Sequence, residues 1–372
     1  MRALAILLAS LLAGCGAAAQ GARDLAMQTD ALWTANQAAR SIASGRATAD
    51  GPMVLWVADE KRVTQVRADG ESEEVWTPPV FQRILRLEAL DLTGDGASEW
   101  VVTLDGSRVR SFVLGFVDGS WEELAPGEPG FLRPLVGPDG SPWLLAQSAG
   151  AERPFSGPVR RLQLVEKGLD EVERLTLPLD ISLHDLVYVP TADGGHRLFT
   201  FEPNGQLGER DPRTPRALIW RADARTVSRP VSVERDYSNL LGEEHEDRLE
   251  LPVPAQVVDM DGDGTRELLT VAGPTTPVAV LDNVRVLQGG DARVMVPAAR
   301  GLEERVRSPL LGRAMVGVVR FRDAAGRPAL AAAVWTKADT GFARPETRVL
   351  LLDPTTGDVL PGPGAALRPA AP

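Results

Sequence analysis

One cysteine, three histidines, three lysines and two tyrosines in 372 residues rule out several kinds of chemistry at once. A lone cysteine forms no intrachain disulfide, so no disulfide framework holds this fold. His184, His196 and His245 are far apart in sequence, and none falls in a His-Glu-x-x-His zinc-protease pattern. Phosphate-cradling loops and the dinucleotide-binding glycine fingerprint are both missing. Lysine occurs only at Lys61, Lys167 and Lys337, and the net charge is −11. An acidic chain of this kind lacks the basic footprint that nucleic acid or anionic lipid headgroups require. The uncharged apolar run 3–12 is too short for a membrane-spanning helix of roughly 20 residues. What the chain does have is a large apolar fraction, 44%, enough to bury one core or several small ones.

The first fourteen residues read as a leader. Arg2 gives a positive start, an apolar run follows, and small residues precede Cys15. Leu12-Ala13-Gly14-Cys15 resembles the lipobox of bacterial lipoproteins, in which the leader is cleaved before the cysteine and that cysteine carries lipid. The resemblance implies a signal peptide at 1–14, lipidation of Cys15 and no remaining thiol. Loss of Arg2 with the leader would take the net charge from −11 to −12. Gly16, where the family's inner-membrane retention signal is Asp, leans toward the outer membrane. Residues 15–23 read as a lipidated tether. Leu25, Leu32, Trp33, Ala39, Ile42 and Ala43 recur near helical spacing and predict an N-terminal helix over 24–45.

From residue 46 the character changes to short runs rich in Val, Leu, Trp and Phe, separated by Asp-Gly, Gly-Ser and Pro turns. A turn dipeptide followed about three residues later by an apolar run recurs six times. The markers are Asp50-Gly51, Asp95-Gly96, Asp139-Gly140, Asp193-Gly194, Asp263-Gly264 and the degenerate Ala325-Gly326. Subtraction gives spacings of 45, 44, 54, 70 and 62 residues. Four-stranded propeller blades run roughly 40–50 residues. The pattern therefore predicts an all-β, six- or seven-bladed β-propeller-like repeat fold over 46–360. Insertions at 203–215 and 242–247 would account for the long intervals, and a Pro/Ala-rich tail at 361–372 would be disordered. A pair of β-sandwiches or an irregular all-β fold is the competing architecture. Trp56, Trp100 and Trp143 follow their markers at equivalent positions and read as packing between blades.

Two markers carry more than a turn. One loop reads Asp91-Leu92-Thr93-Gly94-Asp95-Gly96-Ala97-Ser98-Glu99, the other Asp259-Met260-Asp261-Gly262-Asp263-Gly264-Thr265-Arg266-Glu267. Both put oxygen side chains at positions 1, 3, 5 and 9 and glycines at 4 and 6. Calcium takes six to eight hard oxygens, several of them carboxylates. Position 7, Ala97 or Thr265, can add its carbonyl. The spacing is not that of the EF-hand, whose acidic anchor falls at position 12 between two helices.

The two nonapeptides resemble the calcium loops of FG-GAP and VCBS repeats, found in integrin-alpha-like β-propellers between two strands of one blade. The resemblance covers these two loops closely and the other four markers only as degenerate turns. It implies Asp91, Asp95, Glu99, Asp259, Asp261, Asp263 and Glu267 as carboxylate ligands of two structural Ca2+ ions. Thr93 stands where that family has Asp or Asn, which leaves the first site one charge short.

Two further stretches invite a catalytic or metal reading. Ala146-Gln147-Ser148-Ala149-Gly150 is one residue short of the nucleophile elbow, but the prolines and glycines at 152–158 break the helix that motif requires. Gly242-Glu243-Glu244-His245-Glu246-Asp247 packs four acids round a histidine and reads as a solvated loop. The expectation is a membrane-anchored envelope lipoprotein with no catalytic residues, acting as a calcium-stabilised scaffold for an envelope protein or glycan. Two alternatives stay open: a polysaccharide hydrolase or lyase with a site on a central propeller face, and a structural coat or adhesion protein.

Overall fold

The computed structural model describes residues 30–150, 155–166, 168–191, 195–202, 205–225, 232–238, 244–260, 264–273, 275–277, 285–287, 289–337 and 346–362. The described chain starts with a short strand, β1 (Trp33–Ala35), and then winds four strands at a time. The first blade is β2 (Ser41–Gly45), β3 (Val54–Ala58), β4 (Val63–Val66) and β5 (Ser72–Trp76). The second is β6 (Arg83–Leu90), β7 (Glu99–Asp105), β8 (Arg110–Val117) and β9 (Ser120–Pro129). The third is β10 (Phe131–Val136), β11 (Pro142–Ala149), β12 (Phe155–Val165) and β13 (Gly168–Leu175). The fourth is β14 (Leu186–Pro190), β15 (His196–Phe201), β16 (Gln206–Arg210) and β17 (Leu218–Arg225).

Before the fifth blade stands an extra hairpin, β18 (Ser232–Ser238) with β19 (Glu244–Glu250). The fifth blade is β20 (Gln256–Val258) and β21 (Glu267–Ala272), then a second extra hairpin, β22 (Thr275–Pro277) with β23 (Arg285–Leu287), then β24 (Asp291–Pro297) and β25 (Leu302–Arg307). The sixth is β26 (Ala314–Arg322), β27 (Pro328–Lys337) and β28 (Glu346–Leu352), and its fourth strand is β1 from the other end of the chain. Every pairing is antiparallel. The molecule is a six-bladed β-propeller.

Burial follows position within a blade. The second strands β3 and β7 are buried at every residue, since both faces lie under neighbouring blades. Such strands read as unbroken apolar runs. The fourth strands β5 and β13 have mostly exposed or half-buried residues, and their sequences are acidic and mixed. Six apolar clusters join the blades in a circle. One joins Trp56 to Trp100, the next Val101 to Leu132, then Trp143 to Tyr188, Phe199 to Leu268, Val271 to Val318, and Phe321 to Ile42. Association of neighbouring blades is hydrophobic, at roughly 25 cal/mol per Å² of apolar surface buried.

All six markers fall in one structural position, the connection between the first and second strands of a blade. That decides six blades over seven. Asp193, Gly194 and Asp263 themselves lie outside the described residues.

Three expectations are corrected. The helix over 24–45 is not formed across its described part, where β1 and β2 are strands; residues 24–29 lie outside the description. Leu32 and Ile42 are buried in the cluster that joins the first and last blades, so the apolar spacing serves ring closure and has no helical face. The propeller accordingly begins at Trp33, not at residue 46. The proposed insertion at 203–215 contains β16 and is part of the fourth blade; of the proposed acidic loop 242–247, residues 244–247 are strand, in β19 of the first extra hairpin, and residues 242 and 243 lie outside the described residues. The leader, Cys15, the tether and residues 363–372 of the tail lie outside the described residues.

Three reversals within a blade and one between blades make every innermost strand run the same way along the axis. Connections from first to second strand open on one axial face, called here the exit face. Connections from second to third strand, and from blade to blade, open on the opposite entry face. Both extra hairpins are inserted in connections of the entry class. Val80 and Phe81 (79% and 96% exposed), between β5 and β6, and Leu179 (93% exposed), between β13 and β14, are in blade-to-blade connections as well. The fourth strand of a blade starts on the exit side, so β1 is entered from there. A Cβ on Gly362 would meet the carbonyls of Asp30 and Ala31, which puts the two ends of the described chain side by side.

Candidate functional site

The two acidic loops occupy equivalent places, between β6 and β7 and between β20 and β21, with the same register. Leu90 pairs with Glu99, and Val258 pairs with Glu267. Position 6 is left-handed in both, Gly96 at φ 90° and Gly264 at φ 86°, a conformation glycine adopts without steric cost. In the first loop Asp91 closes the turn: its Oδ1 accepts from Gly94 N at 2.6 Å and its Oδ2 from Gly96 N at 2.9 Å. Asp95 Oδ1 accepts from Ala97 N at 2.8 Å. Glu99, 4% exposed, points back into the loop, where Oε2 accepts from Leu92 N at 2.6 Å and Oε1 from the Thr93 hydroxyl at 3.1 Å. Burial raises the pKa of Glu99 against the lowering effect of those hydrogen bonds.

The second loop repeats this wiring. Asp259 Oδ2 accepts from Gly264 N at 3.2 Å, and Glu267 Oε2 accepts from Met260 N at 2.9 Å. Glu267 is fully buried and also meets Arg305 of β25 at 3.3 Å. Asp261 and Asp263 lie outside the described residues. The backbone of Ala97 and of Thr265 belongs to the curl in each loop.

Turn-closing by an aspartate is not confined to these two loops. Asp139 accepts from Ser141 N and its hydroxyl, and Asp323 from the amides of Ala325 and Arg327, in the equivalent connections of the third and sixth blades. Short polar side chains bonding the backbone two residues on are a general turn device. Among the described residues no three His, Cys, Asp or Glu side chains gather as metal ligands would. The carboxylates of the first loop are thus hydrogen-bond acceptors for their own backbone. Each oxygen keeps a further lone pair, so these bonds are compatible with a cation at Asp91 and Asp95.

The other sequence candidates fall as follows. Ser148 lies in β11 opposite Ser156 of β12, so strand and not helix adjoins it. His196 packs its ring 5.7 Å from that of Tyr188, and the side chain of His245 lies outside the described residues. Trp56 and Trp100 are fully buried, and Trp143 is 7% exposed. Their neighbours are other rings and Arg161, which lies 4.3 Å over the Trp143 ring.

Sequence reasoning missed the axis. Toward the exit face a cavity of about 220 Å³ opens among the late residues of the innermost strands. Its wall carries one acid, Glu88, and one base, Arg320, among mainly apolar side chains such as Met53, Leu135 and Val258. Deeper in, Arg86 of β6 and Arg133 of β10 lie 4% and 1% exposed. Arg133 reaches across the ring: Nη1 donates to the carbonyls of Leu183 and Leu186, and Nη2 to that of Ala255. Arg86 Nη2 donates to Leu251 O at 3.1 Å. Two arginines inside the apolar runs Ile84–Leu87 and Phe131–Leu135 were the available signal, because a charge inside a buried strand needs a partner.

No protein-family model matches this sequence, and no curated protein matches it. Solved structures of similar fold include BBS1N in complex with ARL6DN (12% identity over 88% of this chain and 99% of that one, TM-score 0.46). Another is a putative oxidoreductase (glucose dehydrogenase) of Thermus thermophilus, at 13% identity over 87% of this chain and 99% of that one, TM-score 0.46. The Dos1 propeller aligns at 9% identity over 86% and 70%, TM-score 0.37. At these identities the likeness is one of fold alone.

Proposed function

We propose that this chain is a lipid-tethered protein of the bacterial cell envelope whose propeller binds a protein or glycan partner through its entry face. The observation that carries the reading is the one-sidedness of the ring: both extra hairpins and the exposed Val80, Phe81 and Leu179 belong to entry-face connections. Loops on a rigid frame are where binding residues concentrate. The chain enters β1 from the exit side, so an anchor at Cys15 would turn the entry face away from the membrane. Residues 16–29 would span at most about 50 Å when fully extended. Gly16 in place of Asp favours the outer membrane. An axial cavity with a single acid, Glu88, favours binding over glycoside hydrolysis, which uses a pair of carboxylates.

Photo-crosslinking in cells tests this. A crosslinking residue at Phe81 is expected to give a discrete adduct, and one at Ala325 on the exit face none. Adducts at Ala325 alone, or equally at both, would overturn the assignment of the face. Cys15→Ser is expected to move the protein from the membrane to the soluble fraction, and persistence in the membrane fraction would remove the anchor from the reading.

The two acidic loops are proposed to hold structural calcium. Their support is the paired ligand spacing and the shared register. Extracellular calcium modules have dissociation constants around 10⁻⁴–10⁻³ M, so millimolar calcium would stabilise the fold by only about 0.4–1.4 kcal/mol per site. Thermal melting of the purified protein is expected to rise in calcium relative to chelator. Asp263→Ala should remove most of that rise, and Asp139→Ala should leave it. An identical melting temperature in calcium and chelator would leave the loops as hydrogen-bonded turns.

A further inference from the structure

The axis of the ring contains hydrogen-bonding groups that the fold itself does not use. Arg86 Nε and Nη1, Arg133 Nε, both ring nitrogens of His184 and Glu88 Oε1 are buried and have no hydrogen-bond partner. These four residues come from β6, β10 and the connection leading into β14, so three blades converge on one place. Arg86, Arg133 and His184 are 4%, 1% and 1% exposed, and the Glu88 side chain is 11% exposed. Glu88 Oε2 lies 3.9 Å from Arg133 Nε, an ion-pair distance longer than a hydrogen bond.

The unmet groups are unequal in kind. Three guanidinium nitrogens and one imidazole N–H are donors, and against them stand one carboxylate oxygen and the other imidazole nitrogen. Leaving a buried donor unmade forfeits its hydration without replacement, and the cost is greater for a charged group. Water brings as many donors as acceptors and so answers such a surplus only in part. A guest with acceptors alone answers it fully.

His184 is neutral here. Burial, then the charges of Arg86 and Arg133, hold its pKa well below the usual histidine value. Its ring meets Phe131 edge-on at 6.0 Å and lies tilted 5.4 Å from Phe155, which packs it in place. The charged groups around the site are Arg86 and Arg133 against Glu88 and Asp185. Asp185 is already engaged, its Oδ2 accepting from the amide and hydroxyl of Ser182. Burial raises the pKa of Glu88 while Arg133 and Arg86 lower it, so a single disfavoured carboxylate faces two guanidinium groups. Glu88 also lines the 220 Å³ exit-face cavity, so the cluster adjoins that opening through Glu88.

We propose that the propeller axis binds a small oxyanion, a carboxylate or a phosphate-class group, held by the free nitrogens of Arg86, Arg133 and His184. This site is separate from the entry face and does not depend on lipidation or on calcium. Isothermal titration of the purified full chain at constant ionic strength tests it, with sodium acetate in one arm and inorganic phosphate in the other. Saturable one-to-one binding of either is expected, and the arm that titrates distinguishes the carboxylate from the phosphate. Arg86→Met should weaken that binding at least tenfold. Glu88→Gln removes the carboxylate that faces Arg133 Nε while keeping the volume, and should strengthen it at least threefold. Absence of saturable binding in both arms would overturn the proposal. So would an affinity unchanged in Glu88→Gln, a variant that is readable even where Arg86→Met does not fold.

Discussion

A chain that starts at Asn36, without β1, is expected to lose most of its cooperative stability. The sixth blade takes its fourth strand from the opposite end of the sequence, with Trp33 opposite Val349 and Ala35 opposite Thr347. Removing that strand exposes the edge of β28 and takes Leu32 out of the cluster that joins the sixth blade to the first. The loss of a buried leucine alone costs about 2–5 kcal/mol. A domain of ordinary stability has only about 5–15 kcal/mol in total. The seam is held beyond β1 as well: the Thr347 hydroxyl donates to Gln37 O at 2.6 Å and accepts from Ala39 N at 2.8 Å, and Trp335 Nε1 donates to Ala39 O at 3.0 Å. Those bonds lie after the truncation point, so the shortened chain keeps part of its closure. The expected result is a large fall in the urea midpoint together with self-association through the bare β28 edge. A midpoint within experimental error of the intact chain would show that the strand is dispensable to the ring.

The second large effect is expected at Trp100. Its ring stacks on Trp121 with centroids 3.5 Å apart and planes 16° apart, and meets Trp56 edge-on at 5.3 Å. Trp56 belongs to the first blade and the other two to the second, so this cluster is an interface between blades. Trp100→Ala leaves a cavity that rigid flanking strands cannot fill, at an expected cost of about 3–5 kcal/mol. Its indole N–H is buried without a hydrogen-bond partner. Trp100→Phe removes that unmade donor and keeps an aromatic face, so it should be much milder than the alanine variant. Urea unfolding followed by tryptophan fluorescence reads both. A cost below about 1 kcal/mol for Trp100→Ala would mean that the cluster is not a principal contact between the first two blades.

The six turn markers made the blade repeat readable because each blade reverses at the same place, after its innermost strand. An Asp or Gly is locally favoured there whatever the neighbouring blades do. The burial of Trp56, Trp100 and Trp143 was readable for the same reason, since each follows the first residue of its marker by four to six residues and falls in the second strand of its blade. The acidic loops were legible as loops, and their matching register shows that the spacing reflects one geometry used twice. The region 24–45 was misread because Leu32, Trp33 and Ile42 satisfy a helical spacing, while their actual partners, such as Val349 and Phe321, lie roughly 300 residues away.

Local chemistry was thus decided by the order of residues alone. Turns, strand lengths, oxygen-rich loops and the lipobox-like leader all depend on neighbours a few positions apart. Ring closure, the number of blades and the meeting of Arg86, Glu88, Arg133 and His184 were decided only when distant strands came together. Those features rest on contacts between residues far apart in the chain, and no local periodicity carries information about such contacts.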